Sequence, residues 1–385
     1  MKRILAYILC LLLMCCCTAL AEGFPDTLDL GAMEEEAVLE AVQEEYVAPA
    51  LTTPGRERCG QPGCFWETPM DPYDAEAMAA MLARPMTVIR GDPRSQVYLR
   101  QEPDEDSQAI GEITCDSQGV HVLEDLGNGW TRVECYSSSF EGSRVEAWNE
   151  LVTGYVPTDL LEVRQPRTKY AFIVDKLDQR LYIFEDGVLM DVLAVSTGLV
   201  TEGKPYNETR SGEYILWSLT GAFADGDTTC NYGIRYNHGD LLHELPHTGT
   251  DNYGYTEPKI GSRASHGCIR VQRKRTEKGV NARWIFNALY DGQLNSRLII
   301  WEDWPGRQIP LPAADTPLYY NPQGGVNYHD SPTCYGVKDR YEPLTGFTYA
   351  QLDDAPYDEL TACPYCVPPR RAEDIAQINA AHQLD

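Results

Sequence analysis

Between residues 87 and 163 the chain is a string of short β-prone runs broken at close intervals by Gly, Asn and Pro. They are Tyr98-Leu-Arg-Gln-Glu-Pro103, Ala109-Ile-Gly-Glu-Ile113, Gly127-Asn-Gly-Trp-Thr-Arg-Val133 and Gly154-Tyr-Val-Pro157, leading to Leu160-Leu161. Strands of this length and spacing predict a small β-barrel. Cys115 and Cys135 both fall inside it and are candidates to pair.

The most chemically specific string lies further on: Ser265-His266-Gly267-Cys268-Ile269-Arg270. A thiol between an imidazole and a guanidinium has the neighbours that favour a thiolate nucleophile. Gly267, with no side chain, lets a substrate carbonyl approach and leaves backbone N–H groups to hold an oxyanion. The plain alternative is a buried cysteine in a tight turn.

This hexapeptide resembles the signature of the L,D-transpeptidase family, which cross-links bacterial peptidoglycan through a cysteine thioester. The resemblance extends over 167–302. Tyr170-Ala-Phe-Ile-Val174 and Leu181-Tyr-Ile-Phe184 look like that domain's first hairpin, and Ala194-Val-Ser-Thr-Gly198 like its next strand. Thr209-Arg-Ser-Gly-Glu-Tyr214 stands at a turn where Arg210 and Ser211 depart from the family pattern. Val280, Trp284, Ile285, Ala288 and Leu289 recur at helical spacing and stop at Gly292, before a closing strand Arg297-Leu-Ile-Ile-Trp301. Residues 87–163 similarly resemble a bacterial SH3-like domain, which implies either binding to wall polymer or a packing role. The resulting fold class is mainly β: an L,D-transpeptidase-type β-sandwich catalytic domain, a small SH3-like β-barrel and a short Cys-rich tail.

By resemblance, Cys268 is the nucleophile and an upstream strand-ending histidine is the general base. Leu241-Leu242-His243 fits that place, with His247 the alternative. The interval of 21 residues from His243 to Ser265 exceeds the family's usual one, whereas His247 leaves 17. His243 is preferred for its two preceding leucines and because Pro246 disturbs the strand before His247. Glu244 departs from the small residue the family carries there. His266 would support the thiolate, Ser265 orient the loop, and Arg270 hold a substrate carboxylate or fix the loop to an internal acid. Tyr232, Arg235 and Asn237 are candidates for a lid. His243-Glu244-Leu245-Pro246-His247 also spells H-E-x-x-H, but that zinc-protease motif requires a helix, and Pro246 opposes one. A sortase-like transpeptidase fits the Cys-Ile-Arg spacing less well.

The 385 residues allow two or three domains. Lys2-Arg3, the apolar run Ile4–Leu20 and Ala19-Leu20-Ala21 predict a secretory signal peptide over 1–21. Cys15–Cys17 raise lipidation, although Met14 is not a lipobox residue. No later stretch reaches the roughly 20 apolar residues of a membrane helix, so an extracytoplasmic, wall-associated location is expected. The net charge of −26 argues against nucleic acid as a partner. Peptidoglycan tetrapeptide stems are the partner that the resemblance implies. Residues 22–86 comprise an acidic leader and a small Cys-containing segment. Its Cys59 and Cys64 are expected to close a disulfide loop rather than bind metal, and 75–83 to form a short helix.

Removing the signal peptide leaves nine cysteines, an odd number consistent with one free thiol. In the tail, 317–369, His329, Cys334, Cys363 and Cys366 match one tetrahedral zinc site. Disulfides and a Cys-Pro-Tyr-Cys redox motif are the alternatives. A tail this short is expected to build little core of its own. No cofactor is expected for catalysis. The site's alternatives are an L,D-carboxypeptidase and a non-catalytic wall-binding protein.

Overall fold

Ala171, Phe172, Ile173 and Val174 are all buried, although successive strand residues point to opposite faces. Phe172 and Val174 enter the main core, whereas Ala171 and Ile173 enter a second cluster with Phe65, Trp66, Met78 and Met81. A strand covered on both sides reads as a continuous apolar run, and this one does. The computed structural model describes residues 56–383. The signal peptide, the lipidation question and the leader through residue 55 lie outside them. The described residues belong to one compact unit.

Seven strands make the N-terminal β-unit: β1 (Met86–Ile89), β2 (Gln96–Arg100), β3 (Ala109–Thr114), β4 (His121–Asp125), β5 (Trp130–Ser138), β6 (Trp148–Pro157) and β7 (Leu161–Arg164). Five form an antiparallel sheet in the order β3-β2-β6-β5-β4, and β1 pairs with β7. Leu99, Ile113, Val133 and Val156 fill its core. Cys115 and Cys135 are buried there but remain free thiols, so the expected pairing is not made.

Nine strands follow: β8 (Arg167–Asp175), β9 (Arg180–Glu185), β10 (Val188–Ser196), β11 (Gly212–Ile215), β12 (Ser218–Asp225), β13 (Thr228–Asn237), β14 (Asp240–Glu244), β15 (Ile269–Val271) and β16 (Ser296–Trp301). Their order is β11-β16-β8-β9-β10-β15-β14-β13-β12. The two halves, joined through β10, enclose a core in which Tyr214 of β11 meets Tyr236 of β13 with ring centroids 5.2 Å apart. The outer face of the first half is covered by residues 59–82, including helix α1 (Ala75–Ala83), whose N-cap Asp74 accepts a hydrogen bond from the Ala77 N–H at 3.0 Å. Helix α2 (Ala282–Ala288) starts on the Asn281 cap, buries Ile285, and runs into a wide turn at whose end Gly292 takes φ +95°. That left-handed position is where the sequence placed the stop.

The two β-units are joined by backbone and buried polar pairs. Gly119 N–H donates to the Glu213 carbonyl and Ile215 N–H to the Ser117 carbonyl, both at 2.8 Å. The Thr114 hydroxyl donates to Asn237 Oδ1 at 2.6 Å, and the Ser138 hydroxyl reaches the same oxygen at 3.2 Å. Asn237, expected near a lid, is therefore a fully buried tie between units. Tyr232 packs against Phe286, and Arg235 donates to the His238 carbonyl at 2.9 Å.

The tail forms a four-stranded sheet from β17 (Pro317–Tyr320), β18 (Asn327–His329), β19 (Thr345–Thr348) and β20 (Thr361–Ala362), followed by helix α3 (Ala372–Ala381). Contrary to expectation it has its own core of Leu318, Tyr328, Phe347, Leu352 and Leu360, with Phe347 stacked on Tyr357 at 4.1 Å. It is seated on the main sheet: Arg180 donates to the Val367 and Pro368 carbonyls at 2.7 and 2.9 Å, and Arg370 pairs with Asp178 at 2.6 Å. Among the described residues no helix is long and apolar enough to cross a membrane.

Met81 is 1% exposed within the second cluster. Truncation by Met81→Ala is expected to cost on the order of 2–5 kcal/mol, read as a lowered urea midpoint without a change in slope.

Candidate active site and a Cys/His cluster

Strands β14 and β15 run parallel, with Leu242 opposite Ile269 and His243 opposite Arg270. Cys268 immediately precedes β15, and its Sγ accepts the Leu241 N–H at 3.4 Å. Residues two apart on a strand share a face, so this register puts Cys268 and Arg270 on one strand beside Leu241 and His243 on the next. Cys268 and His243 thus lie close together on neighbouring strands.

The loop before β15 is held by its own side chains. The Ser265 hydroxyl donates to the Cys268 carbonyl at 2.5 Å and accepts the Gly267 N–H at 3.2 Å. Ser265 therefore ties the loop to itself and engages the Gly267 N–H. Gly267 sits at φ +124°, and a Cβ there would lie 2.9 Å from Asp240 Oδ1 and 3.2 Å from an Arg210 nitrogen. The glycine is required by this close approach as much as by its backbone angle. Its carbonyl accepts the Thr209 hydroxyl at 2.7 Å.

Arg210, one of the two departures from the family turn, is the residue that sequence reading passed over. Its guanidinium is 1% exposed and pairs with Asp240 at 3.1 Å. It donates to the carbonyls of Ser139 and Tyr206 at 2.6 and 2.9 Å, and lies 4.2 Å from the centre of the Phe140 ring. The only signal in the chain was the departure itself, a long cation where the family pattern differs. Ser211, the other departure, has its N–H bound to Asn149 at 2.6 Å.

Burial sets the protonation states. It pushes the Cys268 thiol up to about 12, with the Asp240 carboxylate adding to the rise and the Leu241 N–H opposing it. Arg270 opposes it too, but burial prevails. Burial likewise holds His243 down at about 4, opposed by the hydrogen bond from its ring to the Glu244 carbonyl. Nδ1 donates that bond at 2.6 Å, so Nε2 carries the lone pair. The pair is a neutral thiol and a neutral imidazole.

The other candidates separate from this centre. His247 meets Asn231 through Nε2 and the Gly249 carbonyl through Nδ1, both at 3.2 Å, and packs on Tyr253. His266 is exposed. Arg270 donates to the Ala264 carbonyl at 2.8 Å, fixing the loop through a peptide oxygen rather than an acid. Its Nε is buried without a partner. Glu244 accepts the Tyr253 hydroxyl at 2.8 Å. The H-E-x-x-H string lies on β14 and the loop after it, and it forms no metal-ligand cluster among the described residues.

In the tail, His329, Cys334, Cys363 and Cys366 are all buried, with one ligand atom from each within 4.8 Å of the others. Cys334 Sγ is 3.7 Å from Cys363 Sγ, and Cys366 Sγ is 3.6 Å from His329 Nδ1. A tetrahedron built on zinc–sulfur bonds of about 2.3 Å has edges of roughly 3.7 Å. A disulfide would place the sulfurs at about 2.05 Å, and all three cysteines are free. The four side chains fit one zinc ion.

Comparison with known proteins places residues 169–300 in a match to the YkuD family, the L,D-transpeptidase catalytic domain. Among curated proteins, YciB of Bacillus subtilis (strain 168), which carries the provisional name of an L,D-transpeptidase, is 29% identical over 131 residues. The match covers 31% of this chain, and the chain spans 61% of that relative's length. Solved structures include an L,D-transpeptidase from Mycobacterium tuberculosis H37Rv, 15% identical with a TM-score of 0.29, covering 57% of this chain and 92% of that one. Another is the L,D-transpeptidase (residues 123–326) from Xylanimonas cellulosilytica DSM 15894, 17% identical with a TM-score of 0.25, covering 36% and 64%.

His243 is lowered from 6.5 to about 4 on folding. Its contribution to stability is therefore complete above pH 6.5 and is lost as pH falls through about 4. Urea midpoints measured across that interval are expected to fall less steeply for His243→Gln than for the parent chain.

Proposed function

We propose that this chain is an exported L,D-transpeptidase that forms 3→3 cross-links between peptidoglycan stems through a thioester on Cys268. The observation that carries the reading is the parallel β14–β15 register, which sets Cys268 against the strand of a buried, neutral, Nδ1-protonated His243. The match of residues 169–300 to the catalytic-domain family supports it.

In this reading Sγ attacks the carbonyl between the third stem residue and the terminal D-Ala. With the thiol held at about 12 and the imidazole at about 4, the proton moves to Nε2 as the carbon–sulfur bond forms rather than beforehand. General-base help of this kind contributes typically 10²–10⁴-fold. The imidazolium returns the proton to the departing D-Ala amine. An amine of a neighbouring stem then opens the thioester; water entering instead makes the same site an L,D-carboxypeptidase. The engaged Gly267 N–H leaves the Cys268 N–H as the oxyanion donor in this loop. The N-terminal unit, read as SH3-like, serves here as a buttress: the Ser139 carbonyl and Phe140 ring hold Arg210 against Asp240. The tail cluster takes one structural zinc, outside the chemistry.

Incubation with disaccharide-tetrapeptide, followed by mass spectrometry of the products, tests bond, leaving group and acceptor together. The parent chain is expected to release D-Ala and yield a cross-linked dimer. Cys268→Ala is expected to yield neither, with its unfolding midpoint little changed; undiminished D-Ala release by that variant defeats the cysteine mechanism.

For the tail, Cys363→Ser is expected to lose one bound zinc by metal analysis and to loosen hydrogen-exchange protection over 317–369. Activity is expected to survive brief chelation at a temperature where the main sheet stays folded.

A further inference from the structure

A second group of metal-binding side chains lies far from the tail. Cys59 and Cys64 belong to the segment over the outer face of the main sheet, and His121 opens β4. One ligand atom from each lies within 4.8 Å of the other two. Cys64 is 5% exposed and His121 6%. In this structure the sulfurs are joined in the expected disulfide.

The disulfide leaves the imidazole unexplained. His121 is stacked on Trp66, with centroids 5.4 Å apart and planes 17° from parallel, and its Nδ1 is buried with no hydrogen-bond partner among the described residues. An unpartnered buried polar nitrogen is destabilising unless something uses it. The loop carrying the sulfurs is fixed in place: Gly63 has φ +69°, and a Cβ there would lie 2.7 Å from the Ala80 carbonyl oxygen of α1. Beside the three side chains a cavity of about 370 Å³ opens, lined also by Glu57, Gln61 and Glu213.

We propose that, once the Cys59–Cys64 bond is reduced, Cys59, Cys64 and His121 hold one zinc ion whose fourth position, taken by water, faces this cavity. Two thiolates and an imidazole suit zinc, and three protein ligands with one open position contrast with the closed four-ligand set of the tail. Reduction by a dithiol transfers two electrons and two protons to the pair, the dithiol becoming its own disulfide. Zinc binding then releases the two thiol protons. The link changes character as well. A disulfide closes only the short loop from 59 to 64, whereas the ion ties that loop to β4 of the neighbouring β-unit.

The test counts zinc per chain by native mass spectrometry, on the full-length chain reduced with a phosphine and supplied with zinc alone, and on the disulfide form treated in parallel. The reduced chain is expected to hold one zinc more than the disulfide form. His121→Ala and Cys59→Ser are each expected to lose that additional ion and no other. Equal counts in the two redox forms, or variants that keep the parent count, overturn the proposal. Cys59 is partly exposed and outside the main core, so Cys59→Ser gives the answer should His121→Ala fail to fold. The readout is a difference of one ion and does not depend on whether the tail binds its own.

Discussion

A buried guanidinium is the constraint on which the rest of this site depends. Arg210 gathers three pieces of chain: Ser139 and Phe140 of the N-terminal unit, nearby Tyr206, and Asp240 at the start of β14. Gly267 packs against the same ion pair. A buried cation with one partner removed is strongly destabilising. The contacts therefore stand together, and the position of the nucleophile's loop is coupled to the docking of a domain that carries none of the proposed chemistry.

The same burial decides how a proton can move. Taken out of water, the Cys268 thiol and the His243 imidazole both retreat to their neutral forms. A preformed thiolate–imidazolium pair belongs to a wetter, more positive surrounding. Here Asp240 works against the thiolate, and Arg270, the nearby cation, is itself weakened by burial. In the mechanism proposed above, charge separation is thus deferred to the moment at which a substrate carbonyl is present to receive it.

What the chain made legible was local. The apolar run at 171–174, the short helix over 75–83, and the helical spacing of 280–289 are set by residues a few positions apart. Gly292 as the end of the α2 segment is of the same kind. What it hid was long-range. Nothing near residue 237 marks Asn237 as the partner of Thr114, and nothing near 210 points to 139 or 240. The thiol's protonation could not be read from His266 and Arg270, because it depends on exclusion of water, a property of the whole packing. The tail's core escaped notice because Leu318, Tyr328, Phe347 and Leu360 are scattered among turns, with no periodicity to gather them.

The seating of the tail has a consequence for how the molecule comes into being. Arg370 reaches both Asp178 and the carbonyl of Gly261, which lies in the loop between base and nucleophile. Tyr365 takes a hydrogen bond from Gln272 just beyond β15. In chain order these residues come after every strand of the main sheet. A nascent chain can therefore assemble its sheet while the loop that carries residue 261 still lacks its outer support. Maturation of that loop therefore waits on residues 365–370.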